Sequence, residues 1–310
     1  MAGSIRACGL LEGALAESNE VFTAPIAFPK RASASRRKNI PFSVKCALAF
    51  LLLIVVAAAS ADLIAPYGYA KQDLGARLRP PVFFGGTWDY ILGTDTLGRD
   101  ILSRILYGAR TSILVALGGT VIGFILGTLL GFIAAHWRGW FEEAVMMMVD
   151  LQTALPMLVL ALAVLAFFGN SLLLLILLIG LDGWERYARL TRGMVLSARE
   201  SGYVMSMQIV GAPSWRIYLG HIFPNIAGAL IVQLTLNFPG TIILESALSF
   251  FGLGVQPPMT SLGQMLGLGR TYLINAWWMA VFPGVVIFLT TLSMCLVGDW
   301  LRDRLDPTTT

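Results

Sequence analysis

Long apolar runs alternate with short polar intervals along this chain, and the runs are long enough to count as membrane crossings. A hydrocarbon core about 30 Å thick takes about 20 apolar residues of α-helix. Six runs are predicted as spans on that measure: about 43–64, 110–135, 143–168, 171–184, 222–250 and 276–298. The fourth, "SLLLLILLIGLDGWERY", loses its apolar character at Asp182, so it is either tilted or completed by the partly polar residues that follow. Pro239 and Pro283 fall inside the fifth and sixth runs, where neighbouring helices satisfy the backbone groups that a proline frees. The pattern predicts an all-α polytopic membrane protein of six transmembrane helices.

Within the second run Gly119, Gly123, Gly127 and Gly131 recur at every fourth position. That spacing puts them on one helix face, where a second backbone approaches closely, and it places this helix at the centre of the bundle. Asp150 lies about a turn and a half before Pro156 in the third run, a place for a kink that opens backbone carbonyls.

Composition agrees with the pattern. The 310 residues are 56% hydrophobic and 13% charged, with a mean hydropathy of +0.74; soluble domains run nearer a quarter charged. The formal charge of +4 is distributed as positive-inside sorting demands, and needs no nucleic acid to explain it. Residues 1–42 are polar, run into the basic stretch "KRASASRRKNIPFSVK" (30–45) and are expected to be a disordered basic cytoplasmic tail. "CALAFLLLIVVAAASA" also has the small-residue end of a signal peptide, but the preceding segment is too long for an n-region, so 43–64 is read as an uncleaved span. Six crossings from an internal N-terminus return the C-terminus inside. Arg186, Arg189, Arg192, Arg199 and Arg216 then fall in a cytoplasmic loop at about 185–221, against only Glu185 and Glu200. The external segment 62–109 is balanced, so span count and charge count agree.

The chain carries no chemistry of its own. No G-x-x-x-x-G-K-[ST] cradles phosphates, His136 and His221 stand in no H-E-x-x-H context, and Cys8, Cys46 and Cys295 have no metal-ligand or disulfide spacing. Charges in the bilayer cost about 2.5–3.5 kcal/mol each on insertion scales, so the few that occur mark a cavity or a partner. Asp182 and Asp299 are expected near cytoplasmic ends, in water. Asp150 and Glu245 are the candidates for a translocation path or gate. Glu245, in "TIILESALSFFGLG", serves equally as a structural hydrogen-bonding group between helices.

One stretch is neither span nor tail: "VMSMQIVGAPSWRIYLGHIFPN", residues 204–225. Residues 199–209 are predicted as one helix, Gly211 permits a sharp reversal, and Pro213 suits the first turn of a second helix. Trp215, Ile217 and Tyr218 give the second arm apolar bulk, beside Arg216. Such an element either lies on the bilayer surface or docks on a partner.

Four stretches together resemble the C-type permease subunits of bacterial dipeptide, oligopeptide and nickel ABC importers: "LGTDTLGRDILSRILYGARTSILVAL" (92–117), "GWERYARLTRGMVLSARESGYV" (183–204), "ESALSFFGLGVQPP" (245–258) and "VGDWLRDRLDP" (297–307). The resemblance spans nearly the whole chain beyond the first 40 residues. It implies a first helix with a periplasmic segment at 43–109, a type I importer core at 110–299 and a cytoplasmic tail at 300–310. It implies an inner-membrane subunit with both termini cytoplasmic. A homologous second permease, two cytoplasmic ATPases and a periplasmic solute-binding protein complete the importer within the lipid bilayer. ATP and Mg would be bound by the ATPases, with no cofactor or metal on this chain and no nucleic acid. Peptides are the expected solute, with nickel, opines or another small solute as the alternative, and an ion-coupled secondary transporter as the competing class.

In that family the cytoplasmic loop carries E-A-A, three residues, Gly, then nine residues, I, any residue, L and Pro, and docks on the ATPase. Gly211 and Pro224 keep the spacing of thirteen, and Phe223 replaces Leu. The triplet falls on Met205, Ser206 and Met207, which lack the carboxylate. The resemblance thus assigns ATPase coupling to Tyr203, Met205, Ser206, Met207, Gly211, Ala212, Pro213, Trp215, Arg216 and Pro224.

Overall fold

The computed structural model describes residues 40–305; the basic tail expected over 1–42 lies outside them except for its last three residues, as does the end of the 300–310 tail. Helices dominate: α1 (Phe42–Ala59), α2 (Ile101–His136), α3 (Trp140–Ala154), α4 (Met157–Phe168), α5 (Leu172–Leu181), α6 (Trp184–Arg199), α7 (Gly202–Ile209), α8 (Ser214–Ile217), α9 (Phe223–Phe250), α10 (Leu262–Gly269) and α11 (Trp278–Leu305). Four helical runs are long and apolar enough to cross a membrane, and a fifth forms if α3 and α4 count as one span bent by 89°. The bend falls at Leu155–Pro156, where proline disfavours helical geometry in the residue before it.

The 36-residue α2 is the axis of the bundle. Asp100 caps its first turn, its carboxylate accepting from Ser103 N at 2.8 Å. Its glycine face meets α5 and α6 backbone to backbone. A Cβ on Gly123 would lie 2.8 Å from the Gly180 carbonyl oxygen, and one on Gly131 2.6 Å from that of Ala188. Gly119 faces Ile179, and Gly127 faces Trp184 and Tyr187.

These contacts correct two expectations about the fourth run. The loop expected from about 185 begins as helix α6 and continues along α2 to Arg199. Its charge hides a helical apolar stripe, with Trp184, Tyr187, Ala188, Thr191 and Val195 buried. Asp182, expected near a cytoplasmic end, therefore sits part-way along α2, its carbonyl 3.7 Å from the position a Gly123 Cβ would take. The helix expected over 199–209 is also divided: Glu200 and Ser201 separate α6 from α7. On α6, Arg189 pairs with Asp150 at 3.0 Å and Arg192 with Glu142 at 2.5 Å, fastening α3 alongside.

The segment between α1 and α2 folds into a clamp rather than a sheet, with one isolated bridge between Thr94 and Asp100 among the described residues. Asp95 is fully buried. Its carboxylate accepts from the backbone of Leu97 and Arg99, from Arg99 Nε at 2.6 Å and from Arg104 Nη1 at 2.6 Å. Arg104 also donates to Thr260 Oγ1, and Trp278 Nε1 donates to the Thr94 carbonyl. The "GTDTLGRD" stretch thus ties the start of α2 to the approach to α10 and to the start of α11. A buried ion pair of this kind adds little net stability over apolar packing, but removing one partner costs about 3–5 kcal/mol.

Because a carbonyl cannot yield as a flexible side chain does, Gly127→Val should lower stability by about 3 kcal/mol, the upper end of overpacking. Gly193→Ala, with nothing within 4 Å of its Cβ position, should be neutral or mildly stabilising. Thermal unfolding of the purified chain in detergent checks both; equal melting temperatures for wild type and Gly127→Val would contradict the packing.

Candidate functional site

One end of the bundle carries a hairpin. Helix α7 closes with the Gly211 N–H donating to the Gln208 carbonyl at 3.0 Å and the Ala212 N–H to that of Met207 at 3.0 Å. This is the bond pair of a Schellman cap, which needs a left-handed residue at the position of Gly211, and its φ is 78°. Pro213 precedes α8 as its N-cap residue.

A wide π-helical turn at Tyr218–Ile222 joins α8 to α9. Pro224 accounts for it: proline offers no N–H to the carbonyl four residues back and its ring crowds that carbonyl, so the helix widens there. The result is one helical run from Ser214 to Phe250, 37 residues and about 55 Å long at 1.5 Å per residue.

The two sides of the hairpin differ in character. Val204, Ile217 and Ile222 are buried in a cluster with Val195, Ile226 and Leu230, which seats the hairpin on the bundle. Tyr218 hydroxyl and His136 Nδ1 lie 3.1 Å apart, and Arg199 donates to the Ala135 carbonyl, tying the hairpin base to the end of α2. The outer side is apolar and open: Ile209 and Val210 are each 86% exposed, Leu219 65% and Trp215 63%. Arg216 stacks over the Trp215 ring at 5.6 Å. Of the triplet, Met205 and Ser206 face out while Met207 is half-buried as the apolar partner of Ala212 in the cap. Tyr203 reaches Asn225 Nδ2 at 3.5 Å, and Pro224 is exposed.

The path candidates lie elsewhere. Glu245 is fully buried inside a cage of serines. It accepts from Ser249 Oγ at 2.7 Å and faces Ser246 Oγ at 3.4 Å, with the Ser112 and Ser261 hydroxyls also directed at it. Three of those hydroxyls accept backbone N–H groups in turn: Ser249 from Val255, Ser112 from Leu262 and Ser261 from Gln264. Glu245 is therefore the hub at which α2, α9 and the start of α10 meet. Asp150 is exposed in its pair with Arg189, far in sequence from that cage. Reasoning from sequence did not single out the serine cage, Asn237 or Arg186. The signal available for the cage was the four-residue spacing of Glu245 and Ser249, which places both on one helix face.

A bundle of long apolar helices with an outward apolar hairpin at one end has the form of a membrane-embedded subunit. The model of the binding-protein-dependent transport system inner membrane component family matches residues 123–310, and that of the N-terminal domain of oligopeptide transport permease C matches 45–81. The chain belongs to this family of inner membrane permease components. It is 41% identical over 261 residues to the di/tripeptide transport system permease protein DppC of Pseudomonas aeruginosa, covering 84% of this chain and 86% of that one. It is likewise 41% identical to the dipeptide permease DppC of Escherichia coli, with 84% and 87% covered. The glutathione transport system permease GsiD of Pectobacterium atrosepticum is 36% identical, with 83% and 84% covered. Among solved structures, the inward-facing MetNI methionine ABC transporter matches with a TM-score of 0.54 at 17% identity, over 66% of this chain and 98% of that one. That likeness concerns the fold.

Removing the carboxyl from the serine cage leaves several buried donors unmet, at about 1–3 kcal/mol for each unsatisfied group. Glu245→Ala should therefore lower the melting temperature of the purified chain by several degrees, and Glu245→Gln by less. A Glu245→Ala protein that melts like wild type but loses uptake would instead mark Glu245 as a path residue.

Proposed function

We propose that this chain is one of two homologous permeases in an ATP-driven importer of di- or oligopeptides, and that ATP-binding subunits drive it through the hairpin of α7 and α8. Two cytoplasmic ATPases carry the ATP and Mg chemistry, and a periplasmic binding protein delivers the solute. The chain itself performs no catalysis. Six crossings, with α3–α4 and α5–α6 each forming one, put both termini in the cytoplasm. Peptides are favoured over nickel or opines by the relatives' names, two of which are dipeptide or di/tripeptide permeases.

The observation that carries this reading is the hairpin's division into a buried, hydrogen-bonded base and an outer edge of Ile209, Val210, Trp215 and Leu219 left open. Magnitudes are adequate. Shifting a two-state equilibrium from 1:99 to 99:1 takes about 5.5 kcal/mol of differential interaction. Burying about 200 Å² of apolar surface supplies a gross term of that size. With no carboxylate at Met205, the docking rests on shape and apolar contact, for which methionine is well suited.

In proteoliposomes holding the complete importer, Trp215→Asp and Gly211→Val should each cut ATP-driven dipeptide uptake at least tenfold, while Gly193→Ala transports normally. Normal uptake by both hairpin variants would contradict coupling through this surface. Uptake by this chain alone without ATP would instead favour an ion-coupled secondary transporter.

A further inference from the structure

The break between α5 and α6 holds the strongest unexplained group of charges. The depth of the break follows from α2, whose uncharged stretch between Arg110 and His136 runs over 111–135 and has Gly123 at its middle. Gly123 packs against the carbonyls of Gly180 and Asp182. On α9 the uncharged stretch between His221 and Glu245 is centred on residue 233, and Asn237 lies about 6 Å further along. Asn237 also touches the break, since a Cβ on Gly183 would lie 2.5 Å from its Nδ2. Two helices thus place Asp182, Gly183 and Arg186 near the bilayer midplane, where helix breaks and charges together mark solute sites.

The charges are held in a fixed arrangement. Arg186 Nη1 donates to Asn237 Oδ1 at 2.6 Å, and Asn237 is 3% exposed. Glu185 is buried and its Oε2 accepts from Gly183 N at 2.9 Å, which occupies it at the start of α6, while Oε1 lies 3.4 Å from Arg186 Nε. Arg189 and Arg192, further along α6, are taken by Asp150 and Glu142. Arg186 differs from both: its Nη1 is anchored on Asn237 and not on a carboxylate, and its Nη2 has no hydrogen-bond partner among the described residues, while its side chain is 52% exposed. The half-buried Asp182 carboxylate, one helical turn earlier in sequence, likewise makes no hydrogen bond among them. A guanidinium open to lipid at this depth would be costly. Its open side therefore belongs to a water-filled path, and planar guanidinium is suited to bidentate capture of a carboxylate.

We propose that Asp182 and Arg186 form the station at which a zwitterionic peptide is held during passage, Arg186 taking its terminal carboxylate and Asp182 its ammonium. Asn237 and Glu185 position the guanidinium and do not touch the solute. This inference rests on the reading of the chain as a peptide permease.

The test uses the complete importer with its binding protein in proteoliposomes. With Cys8, Cys46 and Cys295 replaced by serine, Arg186→Cys should react with a charged, membrane-impermeant methanethiosulfonate in at least one of the nucleotide-free and nucleotide-bound states. Uptake of dialanine and of dialaninamide is then compared, each at a concentration that saturates the binding protein. Wild type should favour the free carboxylate at least tenfold, and Arg186→Met should erase that preference while binding-protein-stimulated ATP hydrolysis persists. Arg186→Lys should retain part of it. A preference unchanged in Arg186→Met, or an Arg186→Cys thiol inert in both states, would overturn the proposal. If wild type moves neither compound, the peptide reading fails by itself, and thiol access still decides whether Arg186 lines the path.

Discussion

The close approach of α2 to α5 and α6 is the constraint on which the rest of the molecule depends. A helix pair in lipid gains nothing from hydrophobic burial between its members, so it relies on packing, and glycine lets backbones meet where a larger residue would hold them apart. Gly123 and Gly131 face carbonyl oxygens of Gly180 and Ala188 directly. That contact sets the depth of the α5–α6 break and turns the amphipathic α6 toward α3 with its arginines outward. It also carries α6 down to Arg199, whose bond to the Ala135 carbonyl fixes where the hairpin begins.

Two further fastenings convert this packing into a transport subunit. At one end, the Asp95–Arg104 clamp and the serine cage of Glu245 join α2, α9, α10 and α11. At the other end, α7 and α8 rest on α6 and α9 and expose an apolar edge. Between them runs the helix from Ser214 to Phe250. That helix connects Trp215 to the Glu245 cage, passing Asn237 at the level of the α5–α6 break. The π turn at Tyr218–Ile222 and Pro239, which has no N–H to donate, interrupt the regular hydrogen bonding of that run.

Much of this was legible in the sequence. The apolar runs gave the long helices, Pro156 gave the bend, and Gly211 with Pro213 gave the hairpin. The fourth run misled because charge conceals period: α6 reads as a polar loop by composition, yet its buried residues recur at helical spacing. Asp182 lies part-way along α2 and not at a helix end for the same reason, since the break in hydropathy there separates two helices packed on the same face. The serine cage and the Asp95–Arg104–Thr260 network were beyond reach, because each brings together residues far apart in sequence. Only folding puts Ser112 beside Glu245, or Thr260 beside Arg104. The missing carboxylate at Met205 was visible from the start, and the structure gives the triplet a second use: Met207 completes the cap that holds Gly211 in place.

If the hairpin's second arm and α9 act as one lever, the π turn must be a rigid part of it. The direct measurement is the distance between spin labels at Ser214 and Phe251, both exposed and on either side of the π turn, in the complete importer with and without trapped nucleotide. A rigid lever predicts one narrow distribution near about 55 Å, set by the helical rise over thirty-seven residues, in both states. A distribution that shifts or splits with nucleotide would show that the run bends, at the π turn or at Pro239, and would contradict a rigid lever.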